Sequence, residues 1–159
     1  MAENDKQLQL VTFQLGNEKY GIDIMEVNEI VKMQDIRPIP NAPPYVEGIY
    51  NLRGIIIPII NLHRRFKIKK LDFSEEDVLL SGFIIISINN TLIGVIIDKV
   101  LRVVTITDNS IHPPPRMLTG IGAEYISGVY KEDDDYLVIL DIEHLFDPRE
   151  LQQLEKIST

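Results

Sequence analysis

The chain has 159 residues and a formal net charge of −8, from 16 Lys and Arg against 24 Asp and Glu, with no Cys and no Trp. The negative balance opposes general attraction to phosphate backbones or anionic lipid, and the missing cysteines exclude disulfides, thiolate metal sites and thiol catalysis. Met1 to Gln7 lacks the apolar segment of a secretory signal, and no apolar run reaches the ~18 residues of a membrane span, so a cytoplasmic protein without direct membrane insertion is expected.

In chain order, Leu10 to Leu15 and Lys19 to Ile24 are short β-branched or aromatic runs around Gly16-Asn17-Glu18, residues that tolerate positive φ; they predict a hairpin. Val27 to Val31 predicts a further strand after a bend, with a short helical turn as the other reading. Val46 to Leu52 and Ile55 to Leu62 flank Arg53-Gly54 as a second hairpin. Pro58 lacks an N–H for a ladder, which predicts that its strand is an edge or bulged. Lys67 to Glu76 carries six charged side chains and reads as a linker. Phe83 to Ile88 and Leu92 to Ile97 around Asn89-Asn90-Thr91 form another predicted hairpin, and Val100 to Ile106 another strand after a bend, again with a short helical turn as the other reading. Ile126 to Tyr130 and Tyr136 to Ile142 flank Lys131 to Asp135 as the last hairpin. The tail places Asp147 at N-cap, Pro148 at N1 and Glu150 at N3, a capping box opening a helix that packs through Leu151 and Leu154.

These elements form a diverged duplication. Gly21, Ile24 and Val27 answer to Gly94, Ile97 and Val100 at an offset of 73, and Arg37-Pro38 to His112-Pro113 at 75. Tyr45, Gly48, Tyr50, Ile60 and Phe66 answer to Tyr125, Gly128, Tyr130, Leu140 and Phe146 at 80. A half of about 70 residues has a thin core on its own, so the halves are expected to share one. The short, evenly punctuated strands predict a mainly β fold of two small antiparallel barrels. The expected organisation is one domain over 1–159, with subdomains at about 8–70 and 78–147 and a helix at 148–157. The copies part most clearly where Arg53-Gly54 aligns with Asp133-Asp134, a basic hairpin tip against an acidic one.

No nucleotide, hydrolase, zinc-protease or calcium-loop pattern is present. Thr119-Gly120-Ile121-Gly122 lacks the Lys and helix of a phosphate cradle. His63, His112 and His144 lack metal-site spacing and read as surface histidines. Glu132 to Asp135 lacks the spaced ligands of a calcium loop and reads as a solvated tip. No metal, cofactor or nucleic-acid partner is expected, and nothing argues for catalysis. Arg53 has two readings: a solvated turn residue, or a planar fork for a carboxylate, with Glu29 the candidate partner.

Val27-x-Glu29-Ile30, Ile39-Pro40-Asn41-Ala42-Pro43, Val46-x-Gly48, Asn51-Leu52-Arg53-Gly54 and Ile57-Pro58-Ile59-Ile60-Asn61-Leu62 carry a family likeness. With Gly94-Val95-x-Ile97-Asp98-x-Val100 and Tyr125-Ile126-x-Gly128-Val129, they resemble the chemotaxis coupling protein (CheW) family from about Leu10 to Phe146. Asn61 departs from the Asp frequent in that family, though its counterpart Asp141 keeps the carboxylate, and the acidic Glu132 to Asp135 tip is outside the motif.

The resemblance implies two five-stranded β-barrels and a non-enzymatic adaptor linking transmembrane chemoreceptors to the regulatory domain of the histidine kinase CheA. It implies kinase-binding positions around Val27, Glu29, Gly48 and Ile56. It also implies a receptor-binding groove near Arg53, Val100, Val103 and Gly128, in which Arg53 orients the receptor's helical hairpin tip and the valines either anchor it or belong to the core. Two other readings stand beside it: a regulatory module of a larger chemotaxis kinase or phosphorylatable coupling protein, and a small ligand-binding β-barrel or hydrolase.

Overall fold

The computed structural model describes residues 6–69, 71–113, 123–132 and 135–157. Ten strands follow in order: β1 Gln7–Leu15, β2 Glu18–Asp23, β3 Val27–Lys32, β4 Val46–Leu52, β5 Ile55–Asn61, β6 Gly82–Ile88, β7 Thr91–Ile97, β8 Lys99–Thr107, β9 Ile126–Glu132 and β10 Asp135–Leu140. Among the described residues, α1 Leu62–Phe66 and α2 Glu75–Val78 lie between β5 and β6, and α3 Pro148–Ile157 follows the last strand. The hairpin turns at Gly16-Asn17, Arg53-Gly54 and Asn89-Asn90 form where the sequence places them. Arg53 and Gly54 adopt φ of 51° and 92°, and Asn89 and Asn90 adopt 49° and 65°, the paired positive φ that matches strand twist in two-residue loops. A 3-10 turn, Ile24–Glu26, with the Asp23 side chain accepting from Met25 N, makes the bend into β3.

The strands form two five-stranded sheets. Sheet I has the order β8-β1-β2-β10-β9 and sheet II the order β3-β6-β7-β5-β4. Exchanging each strand for its repeat counterpart, β1 for β6 through β5 for β10, turns one order into the other, so the duplication read from sequence is the relation between the sheets. The expected division at 8–70 and 78–147 does not correspond to them. The β1–β2 hairpin belongs to sheet I, with β8, β9 and β10, while β6–β7 belongs to sheet II, with β3, β4 and β5. Each copy lends its first hairpin to the other. This exchange also creates the one parallel join in each otherwise antiparallel sheet, β2 with β10 and β7 with β5.

Neither sheet closes into a barrel through its ladder. Pro58 is not on an edge, because β5 lies between β4 and β7. Its opposite residue on β4, Ile49, turns both backbone groups away to Arg37, at 2.9 and 2.8 Å. In an antiparallel pair that makes Ile49 and Pro58 a pair without mutual hydrogen bonds, so the missing donor faces β7. The ladder with β7 begins one residue later, at Ile59.

Side-chain alternation divides the core into three. Ile84, Ile86 and Ile88 of β6 join Val11, Phe13 and Leu15 of β1, and Val138 and Leu140 of β10, in one cluster shared by the sheets. Phe83, Ile85, Ile57 and Ile59 fill the curl of sheet II, and Leu10, Ile106, Leu137 and Ile139 that of sheet I. Strands buried on both faces explain the unbroken apolar runs such as Ile57 to Ile60. The expectation that the halves share a core holds, and α3 closes it through buried Leu151 and Leu154. The capping box is formed as expected: Glu150 N donates to Asp147 Oδ1 at 2.8 Å, and Asp147 N to Glu150 Oε1 at 2.9 Å.

Candidate partner-binding site

Arg53 stands at the β4–β5 tip and its guanidinium pairs with Glu29 of β3. The Arg side chain is 72% exposed and the Glu only 28%, so the carboxylate holds the guanidinium from beneath while the cation faces solvent. The partner proposed from sequence is the one found. Glu29 lies on one edge of sheet II, and the tip carrying Arg53 begins from the opposite edge, so the pair ties the curled sheet at its seam. Asn51 supports the tip by accepting from Gly54 N at 2.7 Å. Beside Arg53, Ile55 is exposed, as are Ile30 and Met33 at the outer edge of the same sheet.

Other expected site residues divide by burial. Val103 is exposed on β8, whereas Val27 and Val100 are half-buried counterparts packed against the shared core, and Ile56 is half-buried on β5. Val100 and Val103 lie in sheet I, while Arg53 and Glu29 lie together in sheet II, so the ion pair links one residue from each expected partner set.

Gly48 and Gly128 do not present a contact surface: both are buried. At Gly48 a Cβ would sit 2.3 Å from the Arg37 carbonyl oxygen, and at Gly128 it would sit 2.3 Å from Ile111 Cγ2. The Pro-rich segments cross here, bridged Arg37 to Ile49 and His112 to Val129, so these glycines admit a crossing backbone and shape the sites indirectly. Gly48→Ala is expected to cost about 2–3 kcal/mol through this overlap, read as a lower urea midpoint; an unchanged midpoint would mean that the crossing segment yields freely.

The surface reading of the histidines fails at His63. The first turn of α1, capped by Asn61 accepting from Arg64 N at 3.2 Å, carries His63 inward. Its Nε2 lies 2.8 Å from Asp98 Oδ2, which also accepts from Gly16 N at 2.8 Å. Asp98 thereby fastens the β1–β2 turn and α1 to the end of β7, a structural role. Asn61 also donates to Glu47 at 3.3 Å, while its counterpart Asp141 contacts His144 Nδ1 at 2.6 Å. Among the described residues, no group of three or more His, Asp or Glu could hold a metal. Glu26, in the bend before β3, has its carboxyl raised by burial, then by Asp23, Glu143 and Asp141. Thr119 to Gly122, Asp133 and Asp134 lie outside the described residues.

Sequence reasoning misses Arg65, which sits where the repeat relation brings the copies together. Tyr45 of the first copy packs on Phe146 of the second at 5.7 Å, and Tyr125 of the second on Phe66 of the first at 5.5 Å. The Arg65 guanidinium carbon lies 4.9 Å from the Tyr45 ring centre and 5.2 Å from those of Tyr125 and Phe146. Burial opposes its charge, but the Glu150 carboxylate outweighs that and raises its pKa. The signal was available: the counterpart of Arg65 is the buried Leu145, and an Arg aligned with a core Leu is an Arg under cover.

A family model for the CheW-like domain matches residues 9–150. The chain belongs to the CheW-like family. It is 54% identical to the chemotaxis protein CheW of Treponema pallidum (strain Nichols), over 99% of this chain and 92% of that protein. It is 31% identical to the chemotaxis protein CheW of Klebsiella aerogenes, over 94% of this chain and 88% of that one. The crystal structure of the scaffolding protein TtCheW from Thermoanaerobacter tengcongensis superposes with a TM-score of 0.81 at 40% identity, covering 91% of each chain. Family membership, the mainly β class and five strands per sheet accord with the sequence resemblance. Among the described residues, no helix is long and apolar enough to cross a membrane.

Proposed function

We propose that the chain is a non-enzymatic adaptor that couples transmembrane chemoreceptors to the histidine kinase CheA, recruited from the cytoplasm to membrane-associated receptor arrays. The observation that carries this reading is the solvent-facing, carboxylate-held guanidinium of Arg53 beside exposed Ile55, on the scaffold of a CheW-like domain. A cation with an adjacent aliphatic anchor suits docking against a protein surface, where a few such residues carry most of the affinity. In this reading the Val27, Glu29 and Ile56 face of sheet II meets the kinase regulatory domain, and Arg53 with Val100 and Val103 meets the receptor hairpin tip. Gly48 and Gly128 act by shaping the backbone beneath.

Pull-down with a kinase regulatory domain and with a receptor cytoplasmic fragment tests the adaptor; retention of neither sinks it. Arg53→Ala is expected to weaken receptor-fragment binding about tenfold, as for a central interface cation. Its melting temperature should move little, because an exposed ion pair contributes about 0–1 kcal/mol. Collapse of the fold in this variant would instead make Arg53 structural.

A further inference from the structure

We propose that Arg102 is a second recognition cation, the counterpart in sheet I of Arg53 in sheet II, and that it docks a carboxylate flanking the apolar face of the receptor's helical hairpin; this rests on the adaptor reading. Arg102 occupies on edge strand β8 the position that Glu29 holds on edge strand β3, two residues beyond the equivalent valines Val100 and Val27. Its Nη2 lies 3.0 Å from Oε1 of Glu132, the last residue of β9 and the repeat counterpart of Leu52, which precedes Arg53. Both seams are therefore tied by an ion pair between edge strand and hairpin end, with the signs exchanged.

The exchange conserves what is presented. Arg102 is 73% exposed over a Glu132 that is 25% exposed, against 72% and 28% for Arg53 and Glu29. Val103, 51% exposed, follows Arg102 on the alternate face of β8, and Ile55, 44% exposed, stands two residues beyond Arg53. Among the described residues, each pair meets through a single Nη2 to Oε1 contact, and the planar fork of each guanidinium suits a second carboxylate at its outer edge. On a chain of net charge −8 an acidic partner is repelled overall, so two fixed, exposed cations select where and how it docks.

The test compares wild type, Arg102→Gln, and the charge exchange Arg102→Glu with Glu132→Arg, measured against a receptor cytoplasmic hairpin fragment and, separately, the kinase regulatory domain. The exchange keeps a seam pair, so its melting temperature should stay near wild type; if it does not fold, Arg102→Gln decides. Affinity for the receptor fragment should fall about tenfold in the exchange and less in Arg102→Gln, with a shallower salt dependence in both. Unchanged affinity and salt dependence would reduce the Arg102–Glu132 pair to a seam tie and overturn the inference, leaving the adaptor reading intact. A loss confined to the kinase domain would overturn the assignment to the receptor. Wild type that binds neither partner would overturn both readings.

Discussion

Arg65→Ala should lower the unfolding free energy by about 3 kcal/mol, the lower end of the cost of removing one partner from a buried ion pair, because this pair keeps 12% and 20% of its side-chain surface exposed. On a chain of this length, that corresponds to a fall of roughly 10 °C in melting temperature. The guanidinium donates through Nη1 and Nη2 to the two oxygens of Glu150, at 2.5 and 2.7 Å, and through Nη2 to the Leu145 carbonyl at 2.9 Å. Its removal strands the carboxylate that also caps α3 and leaves a gap among Tyr45, Tyr125 and Phe146. Tyr45 is itself drawn in: burial foremost pushes its hydroxyl up to about 12, the Glu150 charge adds to this and Arg65 opposes it. Arg65→Lys separates the effects, since it keeps a cation but not the two-point fork, and should recover part of the loss. Thermal and urea unfolding of the three proteins would measure it. A loss below about 1 kcal/mol for Arg65→Ala would mean that Glu150 finds water and α3 holds without the pair.

What could be read from the chain beforehand follows from how local each feature is. The Asn89-Asn90 and Arg53-Gly54 turns, the Asp147 to Glu150 cap and the repeat itself depend on neighbouring residues or on order along the chain, so sequence carries them directly. Strand pairing does not work this way. Leu10 to Leu15 and Phe83 to Ile88 are apolar runs of the same character, and nothing local says that each pairs with the other copy's strands. Arg65 is hidden for a related reason: within His63-Arg64-Arg65 it resembles a solvated basic run, and only alignment with Leu145 exposes it. Glu132 is hidden by its acidic neighbours. As part of a run of four carboxylates it looks like solvated charge, whereas across the seam from Arg102 it is half of an ion pair.

The hairpin exchange has the largest consequence for folding. Cutting the chain within Asp72 to Ser74 should leave two fragments that are each unfolded or aggregated alone and that fold when mixed. The first fragment keeps β3, β4 and β5 of sheet II but loses β6 and β7, which lie between β3 and β5 in that sheet. The second keeps β8, β9 and β10 of sheet I but loses β1 and β2, which lie between β8 and β10. Neither retains a contiguous five-stranded sheet, and the strands left behind expose edges and apolar faces that invite aggregation. The shared cluster also splits, since Val11, Phe13, Leu15 and Tyr20 leave with one fragment and Ile84, Ile86, Val95 and Val138 with the other. Each buried Ile or Val of this kind contributes roughly 1.5–3 kcal/mol, so loss of half the cluster far exceeds the 5–15 kcal/mol by which a domain is stable. Circular dichroism and amide exchange on the separate and mixed fragments decide the matter. A fragment that alone shows cooperative melting and protected β6 or β1 amides would mean that a copy can satisfy its own sheet. In that case the exchange would be one of two accessible pairings and the lobes could fold independently.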